Sequence, residues 1–436
     1  MRKIHIWTLL ALLFSVVSCF KDANFEAGFS GQDSGTRTYP ERSQSIPDRR
    51  VMIMVSAGYN SLYSYLANDL QDLETGYLPE GKYLNSDVLL VLARHPVRSG
   101  DYSTPSAPLL YRLYKDRSGE VVRDTLKTWS GDTQLCTEET LRDALSWIGM
   151  KFPATGYGMV FSSHASGWLP SGYYSDPENY ETSHASYSAK SRRGVREVFP
   201  PIDPYPAVKS LGQDKTAAGG VEFELKEFAD AIPFHLDYLL IDACLSGCVE
   251  VAYALRDKAD IVGFSPAEVL AEGFNYVEIA SRLLNGEPDP VGVCEEYFAY
   301  YDSQTGSNRS ATITAVDTRK LDQLANVCKE LFEKYRTAVR TLDGNRVQGY
   351  FRFNRHFFYD LKDILVQAGI SAQEEARLDA ALDACILYKA ATPYFLTIPI
   401  QRYCGLTMYL PSMGTDYLDS FYKENMAWNE ATELVK

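Results

Sequence analysis

Two residues capable of nucleophilic and proton-transfer chemistry follow predicted buried strands in this chain. His164 comes directly after the predicted strand 157–163, and Cys244 comes directly after the predicted strand 238–243. Because reactive groups gather at the carboxyl ends of parallel strands, we expect the imidazole and the thiol to meet at one edge of a sheet. An imidazole beside a thiol can take the thiol proton and activate the sulfur as a nucleophile.

The sequence after Cys244 favours the reactive thiolate form. We predict a helix over 245–257, and the dipole and N–H groups at the amino end of a helix lower the pKa of a thiol and can bind an oxyanion. Taken alone, a cysteine after a buried strand or a single histidine is more often a structural core residue, and Cys248 is expected to pack on the same helix. The joint placement of His164 and Cys244 supports the catalytic interpretation.

The elements that must position these residues indicate an α/β fold. Predicted strands occur at 51–55, 87–93, 157–163, 238–243 and 261–265, and predicted helices occur between them at 62–73, 137–148, 245–257 and 274–284. A hairpin is predicted over 109–128. Apolar strands that alternate with helices are typical of a mostly parallel sheet covered on both faces.

The C-terminal part of the chain is predicted to be rich in helices. Its predicted elements are a strand at 311–316, helices at 318–341, 360–368 and 372–390, and a strand at 405–410. We therefore expect a catalytic domain over 50–315 and a C-terminal subdomain of helices and strands over 316–436.

Composition and charge exclude several classes of protein. The 436 residues include 43 Lys and Arg against 57 Asp and Glu, so the net charge is −14. An acidic total without a long basic run argues against nucleic acid as a partner. The 8 cysteines are scattered, which is not the pattern of a disulfide framework or a zinc site.

The N-terminus indicates export from the cytoplasm and a lipid anchor. Arg2 and Lys3 precede an apolar run over 4–17, which is too short for a comfortable membrane span and is typical of a secretory signal. The run ends at Cys19 and resembles a bacterial lipoprotein signal, which implies that Cys19 becomes the lipidated first residue after removal of the signal at 1–19. An ordinary signal peptide with a chance cysteine is the alternative. Residues 20–49 are predicted to be a solvated tether.

Two motifs resemble those of a known family. The stretches 161–168 (FSSHASGW) and 241–251 (IDACLSGCVEV) are similar to the histidine and cysteine motifs of the clostripain family of cysteine peptidases, in the caspase and gingipain clan. Further similarity lies at 57–60, 359–361 and 405–411, so the resemblance covers most of the chain after the tether. It implies a caspase-like fold.

The resemblance also implies roles for the residues of the two motifs. His164 would be the general base and acid and Cys244 the nucleophile. The oxyanion hole would be formed by the backbone N–H of Cys244 and one from the turn Ala165 and Ser166. Family members usually have glycine where this chain has Ala165.

The resemblance further implies cleavage after basic residues, which requires a carboxylate at the base of the substrate pocket. Asp242 matches the acidic position of the family, and because residues i and i+2 of a strand share a face, Asp242 and Cys244 could both face the cleft. Glu272 matches a second acidic position. Glu250 and Glu268 are instead expected to be solvated charges.

The segment between the two motifs is unusually long. Its part 169–220 is rich in Pro, Ser, Tyr and Gly, and it contains Lys190, Arg192 and Arg193. Long exposed loops are where proteolytic nicking concentrates, and family members are typically cut at a basic site between the two catalytic residues. The alternatives are autoprocessing at one of these three residues and a solvated basic loop.

The sequence thus predicts a lipid-anchored, secreted cysteine endopeptidase that cleaves after Arg or Lys. We expect a monomer in the bacterial cell envelope, as an outer-membrane lipoprotein facing the periplasm or the surface, that acts on protein or peptide substrates with basic residues. No metal site and no certain cofactor is predicted; a requirement for calcium stays open, since acidic residues are plentiful but no EF-hand loop is present. The alternatives are a non-catalytic surface lipoprotein that uses the peptidase fold as a binding module, and another thiol enzyme such as a transpeptidase.

Overall fold

A large mixed sheet organises the chain. The computed structural model describes residues 48–98, 100–173, 213–216, 219–351 and 357–436. Within these residues nine strands form one sheet, in the spatial order β12 (Ile386–Ala391), β10 (Thr312–Asp317), β9 (Ala259–Phe264), β8 (Leu236–Asp242), β5 (Gly156–Ser162), β1 (Arg50–Ala57), β2 (Asp87–Arg94), β3 (Leu109–Lys115) and β4 (Val121–Thr128).

The five central strands β9, β8, β5, β1 and β2 are parallel, and two strands at each side continue the sheet in antiparallel pairing. The five apolar residues 51–55 of β1 are each at most 1% exposed, because both faces of the strand are covered. By contrast β4 is largely exposed and carries charged residues, as is usual for a strand at the edge of a sheet. The predicted α/β fold with a mostly parallel sheet at its centre is confirmed.

Smaller strand pairs and helices complete the described part of the chain. The strand pairs are β6 (Gln213–Thr216) with β7 (Gly219–Glu222), β11 (Tyr359–Asp360) with β15 (Thr407–Met408), and β13 (Tyr394–Phe395) with β14 (Ile398–Pro399). The α-helices are α1 (Tyr63–Thr75), α2 (Glu138–Lys151), α3 (Leu225–Asp230), α4 (Val249–Ala254), α5 (Tyr276–Leu284), α6 (Pro290–Asp302), α7 (Leu321–Thr341), α8 (Leu361–Ala368), α9 (Ala372–Cys385), α10 (Asp416–Asn425) and α11 (Ala427–Thr432). Short 3₁₀ turns lie at Gly81–Leu84, Gly306–Asn308, Thr318–Lys320, Gly344–Arg346 and Pro411–Met413.

Helices cover both faces of the sheet. Phe161 of β5 packs its ring against Phe228 of α3, with the ring centroids 5.0 Å apart. The next residue, Ser162, hydrogen-bonds Asp242, which also binds Tyr276 of α5. Because consecutive residues of a strand point to opposite faces, α3 and α5 lie on opposite sides of the sheet. None of the helices in the described ranges combines the length and the hydropathy that a membrane span needs.

Most predicted elements are confirmed, and two helices are shorter than predicted. The hairpin over 109–128 corresponds to β3 and β4, and the helix predicted over 318–341 is α7 preceded by a 3₁₀ turn. The helix predicted over 372–390 ends at Cys385, and the chain continues directly into β12, because these residues pair with β10. The helix predicted over 245–257 is reduced to α4, with consequences for Cys244 that are given below.

The N-terminal predictions fall outside the described residues. These are the signal at 1–19 with Cys19, and the tether at 20–49 apart from its last two residues. The division into domains at 50–315 and 316–436 stays a prediction. Its boundary falls within β10, so such a subdomain would share the central sheet with the catalytic domain.

Candidate active site

The register of two neighbouring strands places His164 beside Cys244. The strands β5 and β8 are parallel neighbours, and the last residues paired between them are Ser162 and Asp242. His164 and Cys244 each lie two residues beyond that pair, so they leave the same edge of the sheet at matching positions. Adjacent strands are only about 4.8 Å apart. The expectation that both residues follow parallel strands of one sheet is confirmed.

The loops that carry these two residues touch each other. Gly167, three residues after His164, has a φ of +59°, and a Cβ added there would lie 2.6 Å from the carbonyl oxygen of Leu245. Leu245 itself has a φ of 57°, a backbone conformation that costs a non-glycine residue about 1–2 kcal/mol. Only a residue without a side chain fits at position 167, and the two loops are thereby held in contact.

Cys244 is enclosed by the loop that follows β9. The side chain is 1% exposed, and the backbone N–H of Val269 donates a hydrogen bond to its Sγ over 3.1 Å. The Sγ also lies 3.7 Å from the carbonyl oxygen of Val269. A donor aimed at the sulfur stabilises the thiolate relative to the thiol.

The helix predicted to begin directly after Cys244 is absent from that position, and the expectation that a helix dipole activates the thiol is wrong. The helix α4 begins at Val249, with Cys248 as the residue before its first turn. The N–H groups of Leu245 and Gly247 donate instead to Ala267 and Ser265, over 2.9 and 2.7 Å. These bonds to the loop after β9 hold residues 245–247 away from a helical conformation.

Gly247 explains why no helix forms directly after Cys244. A Cβ at this position would lie 2.3 Å from the backbone nitrogen of Pro266, so the cysteine loop approaches the loop after β9 too closely for any other residue. The cysteine loop is therefore shaped by tertiary contacts rather than by helix propensity.

His164 has a hydroxyl partner that the sequence did not reveal. The side chain is 6% exposed, and its Nε2 lies 3.0 Å from Oγ of Ser61, in the connection between β1 and α1. The neighbouring residue Ser163 donates its hydroxyl hydrogen to the carbonyl oxygen of Ala57, over 2.8 Å. The histidine loop is thus tied to the end of β1, the strand on the other side of β5.

The residues predicted to form the oxyanion hole lie in the same two loops. Ala165 and Ser166 follow His164 directly and are 1% and 4% exposed. The carbonyl oxygen of Ser166 accepts a hydrogen bond from the N–H of Leu169, which closes the turn. The assignment of these N–H groups and that of Cys244 to an oxyanion stays a prediction.

Asp242 is buried beneath the cysteine. It is 1% exposed, and its Oδ2 accepts hydrogen bonds from the hydroxyls of Ser162, over 3.2 Å, and of Tyr276, over 2.7 Å. Burial raises the pKa of Tyr297 on α6 well above its usual range, and the nearby charges of Asp242 and Cys244 contribute to the shift. Asp242 and Cys244 therefore approach the same tyrosine, in agreement with side chains that share a face.

Glu272 is exposed, and it lies near Tyr301, whose ring packs against that of Tyr297. It belongs to the turn after β9, where the carbonyl oxygen of Gly273 accepts a hydrogen bond from the hydroxyl of Tyr301 over 3.0 Å. Burial raises the pKa of Tyr301 well above its usual range, with added contributions from Tyr297, Asp242 and Glu272. One predicted acid is thus buried and the other exposed, and the charges of both act on Tyr301.

The expectation that Glu250 and Glu268 are solvated charges is wrong. They are 1% and 2% exposed. Glu250 accepts hydrogen bonds from the hydroxyl of Tyr422, over 2.6 Å, and from the N–H of Tyr409, over 2.9 Å, and burial raises the pKa of its carboxyl to about 7. The C-terminal segment supplies both donors, which local sequence could not indicate.

The candidate autoprocessing residues Lys190, Arg192 and Arg193 lie outside the described residues. The described chain stops before them at Tyr173, which is fully buried, and continues after them with β6. In β6 the buried Asp214 forms an ion pair with Arg94, whose Nη1 lies 2.9 Å from Oδ2 of the aspartate. Both described ends of this segment are therefore anchored in the fold.

Within the part of the chain that the structure describes, no group of three or more His, Cys, Asp or Glu side chains is arranged to hold a metal ion. The described cysteines are all buried, and none of them forms a disulfide bond with another described cysteine: Cys136, Cys244, Cys248, Cys294, Cys328, Cys385 and Cys404.

Comparison with known proteins identifies the same architecture elsewhere. The model of the clostripain family matches residues 202–423. Among solved structures, an inactive zymogen of a C11 protease from Parabacteroides distasonis is 26% identical, with a TM-score of 0.69, over 89% of this chain and 99% of that one. A secreted C11 cysteine protease from Bacteroides thetaiotaomicron, solved with an irreversible peptide inhibitor, is 22% identical, with a TM-score of 0.68, over 88% and 99%. No curated relative matches the chain at a significant level.

Proposed function

The chain belongs to the clostripain family of cysteine peptidases, and from this premise we propose that it is a lipid-anchored endopeptidase that cleaves peptide bonds after Arg or Lys. The observation that carries this proposal is the register of β5 and β8, which places His164 and Cys244 two residues beyond the pair Ser162 and Asp242. An imidazole, a thiol and a buried carboxyl group thus lie at one edge of the sheet, which supports the roles proposed for them.

The proposed reaction has two halves. His164 takes the proton of the Cys244 thiol, and the sulfur attacks the carbonyl carbon of the substrate, whose oxygen becomes an oxyanion bound by N–H groups of Cys244 and of the turn Ala165 and Ser166. His164 then gives the proton to the leaving amine as the C–N bond breaks, which leaves a thioester. Water, deprotonated by His164, attacks the thioester, and the thiol and the acid product are released.

The proposed specificity rests on Asp242 and Glu272. Asp242 accepts hydrogen bonds from the hydroxyls of Ser162 and Tyr276, which fix the orientation of its carboxyl group. A basic substrate side chain that reached it would form a charge pair shielded from water, which is stronger than an exposed pair. The exposed Glu272 would attract the same side chain on its way in.

We also propose that the uncut chain is a precursor. Cys244 is 1% exposed in it, so a peptide carbonyl could reach the sulfur only after a rearrangement. Cleavage after Lys190, Arg192 or Arg193 would be the activating event. Mass spectrometry of purified wild type and Cys244→Ala tests this: a wild-type chain that has measurable peptidase activity and yet stays as intact as Cys244→Ala would rule it out.

The place of action follows from the proposed lipidation of Cys19. Incorporation of a labelled fatty acid into the wild-type chain, and its loss in Cys19→Ser, would support an anchored lipoprotein of the bacterial envelope. If neither chain incorporates the label, the alternative of an ordinary secreted enzyme is favoured.

The central experiment measures hydrolysis of fluorogenic peptides that end in Arg, Lys or Ala. We expect turnover of the Arg and Lys peptides and none by Cys244→Ala or His164→Ala. If wild type stays inactive, also after limited trypsin cleavage and with calcium added, the binding-module alternative is favoured. If Asp242→Asn cleaves the basic peptides as well as wild type does, another thiol chemistry is favoured.

A further inference from the structure

We propose that Ser61 is a positioning residue that holds the imidazole of His164 in the orientation and protonation state that activate Cys244. The inference rests on the proposed role of His164 as general base. Its starting point is the distance of 3.0 Å between Oγ of Ser61 and Nε2 of His164. No feature of the sequence around Ser61 indicates such a role.

The hydrogen bond assigns different tasks to the two ring nitrogens. In this proposal Nε2 binds Ser61 and Nδ1 is the nitrogen that takes the proton of the thiol. The neutral ring then carries its hydrogen on Nε2 and donates it to Oγ, while the lone pair of Nδ1 accepts the proton of Cys244. In the resulting imidazolium, Nε2 still donates to Oγ, and Nδ1 passes its proton to the leaving amine.

The backbone around Ser61 is fixed independently of its hydroxyl. The carbonyl oxygen of Ala57 accepts hydrogen bonds from Nδ2 of Asn60 and from Oγ of Ser163, each over 2.8 Å. Oδ1 of Asn60 accepts the N–H of Leu62 over 2.9 Å. The segments that carry Ser61 and His164 therefore meet at one carbonyl group, and Asn60 and Ser163 are fully buried.

The exposure of Ser61 allows a role in positioning to be tested without a large effect on folding. Ser61 is exposed, so the loss of its hydroxyl removes little packing. A hydrogen bond to a charged group is stronger than one to a neutral group, so Ser61 favours the imidazolium over the neutral ring. In this proposal it thereby raises the pKa of His164. Through the attraction between the imidazolium and the thiolate of Cys244, it also lowers the pKa of the thiol.

The test compares Ser61→Ala and Ser61→Thr with wild type across a pH series of kcat/KM on an Arg peptide. For Ser61→Ala we expect kcat to fall about tenfold with KM nearly unchanged, since the loss of one charge-assisted hydrogen bond is worth roughly 10- to 100-fold. The acidic limb of the profile should move to higher pH and the basic limb to lower pH. Ser61→Thr keeps a hydroxyl and should restore most of the activity and the wild-type profile.

The matched control is Ser118→Ala. Ser118 is also exposed, but its hydroxyl binds Asp116 in the turn between β3 and β4, away from the site. Its profile should equal that of wild type. An unchanged kcat and profile in Ser61→Ala, or a Ser61→Thr variant as impaired as Ser61→Ala, would overturn the proposal while leaving the peptidase assignment intact.

A second measurement does not require peptidase activity. In a Cys244→Ala background, NMR titration of labelled histidine gives the pKa of His164 with and without the Ser61 hydroxyl. We expect Ser61→Ala to lower it and Ser118→Ala to leave it unchanged. If the pKa of His164 is the same with and without the Ser61→Ala substitution, the positioning role is also refuted, whatever the enzyme assay shows.

Discussion

The hydroxyl of Tyr276 donates a hydrogen bond to Oδ2 of Asp242 over 2.7 Å, and both side chains are at most 2% exposed. The first helical residue of α5 thus steadies the carboxylate that lies two positions before Cys244. A substrate side chain would meet an acid whose orientation is already set, which reduces the entropy lost on binding.

We expect Tyr276→Phe to raise KM for Arg and Lys peptides about tenfold, because it removes one donor to a buried charge. Asp242→Asn should reduce kcat/KM on the same peptides by about 100-fold or more, since it removes the whole charge pair with the substrate. Hydrolysis of the peptide series measures both effects. Tyr394→Phe, at an exposed tyrosine, is the control, and equal losses in that variant would contradict the assignment.

Gly167→Ala should abolish most activity without unfolding the protein. The new Cβ would lie 2.6 Å from the carbonyl oxygen of Leu245, so the histidine and cysteine loops must separate. Misplacement of catalytic groups by about 1 Å can reduce the rate about 100-fold.

Gly119→Ala provides the matched control for that variant. Gly119 also has a positive φ, of +83°, but nothing lies within 4 Å of its added Cβ. It therefore carries the backbone strain without the collision. Similar kcat values for the two variants would show that contact between the loops is unimportant.

The buried Glu250 should make stability depend on pH. Its folded-state pKa of about 7 lies above the ordinary value of 4.5, because burial disfavours the charge among Cys248, Tyr409 and Tyr422. The folded state therefore holds this proton at higher pH than the unfolded state does. Its contribution to the free energy of unfolding falls as pH rises from about 4.5 to about 7, by on the order of 3 kcal/mol.

Urea unfolding of wild type and Glu250→Gln across this pH range measures that contribution. The difference between the two free energies should decrease with pH and level off above about 7. The exposed Glu430→Gln should show no such trend. A difference that stays constant across the series would refute an elevated pKa for Glu250.

The ion pair between Arg94 and Asp214 should contribute to the anchoring of the hairpin β6–β7. Their side chains are 5% and 0% exposed, so Asp214→Asn leaves a buried guanidinium without its counterion. We expect the free energy of unfolding to fall by about 3–5 kcal/mol. Glu330→Gln, which breaks an exposed pair with Arg377, should change it by less than about 1 kcal/mol, and chemical denaturation compares the two.

The sequence predicted the parts of the site that depend on consecutive residues. Apolar runs followed directly by His164 and Cys244 indicated two strand ends. The alternation of apolar strands with helices indicated a parallel sheet, in which these ends share an edge. The exact pairing of β5 with β8 is consistent with that pattern. Spacing by two also placed Asp242 on the same face as Cys244.

Partners that come from distant segments left no local signal. Ser61 lies 103 positions before His164, and the contact between them exists only because β1 and β5 are neighbours. Likewise, helical propensity after Cys244 is overridden by Gly247, which packs against Pro266. The strand β12 resembled the continuation of α9, and its pairing with β10 decided its conformation.

The order of the strands has one more consequence for where a peptide can lie. From β1 the chain proceeds outward through β2, β3 and β4, then returns to the opposite side of β1 as β5 and proceeds outward again through β8 and β9. Connections at such a reversal of direction diverge and open a crevice beyond the carboxyl ends of the two strands. Ser61 follows one of these strands and His164 the other. The chain reversal therefore predicts a groove between these two loops, and a break anywhere between β5 and β8 would leave both loops on the same fragment.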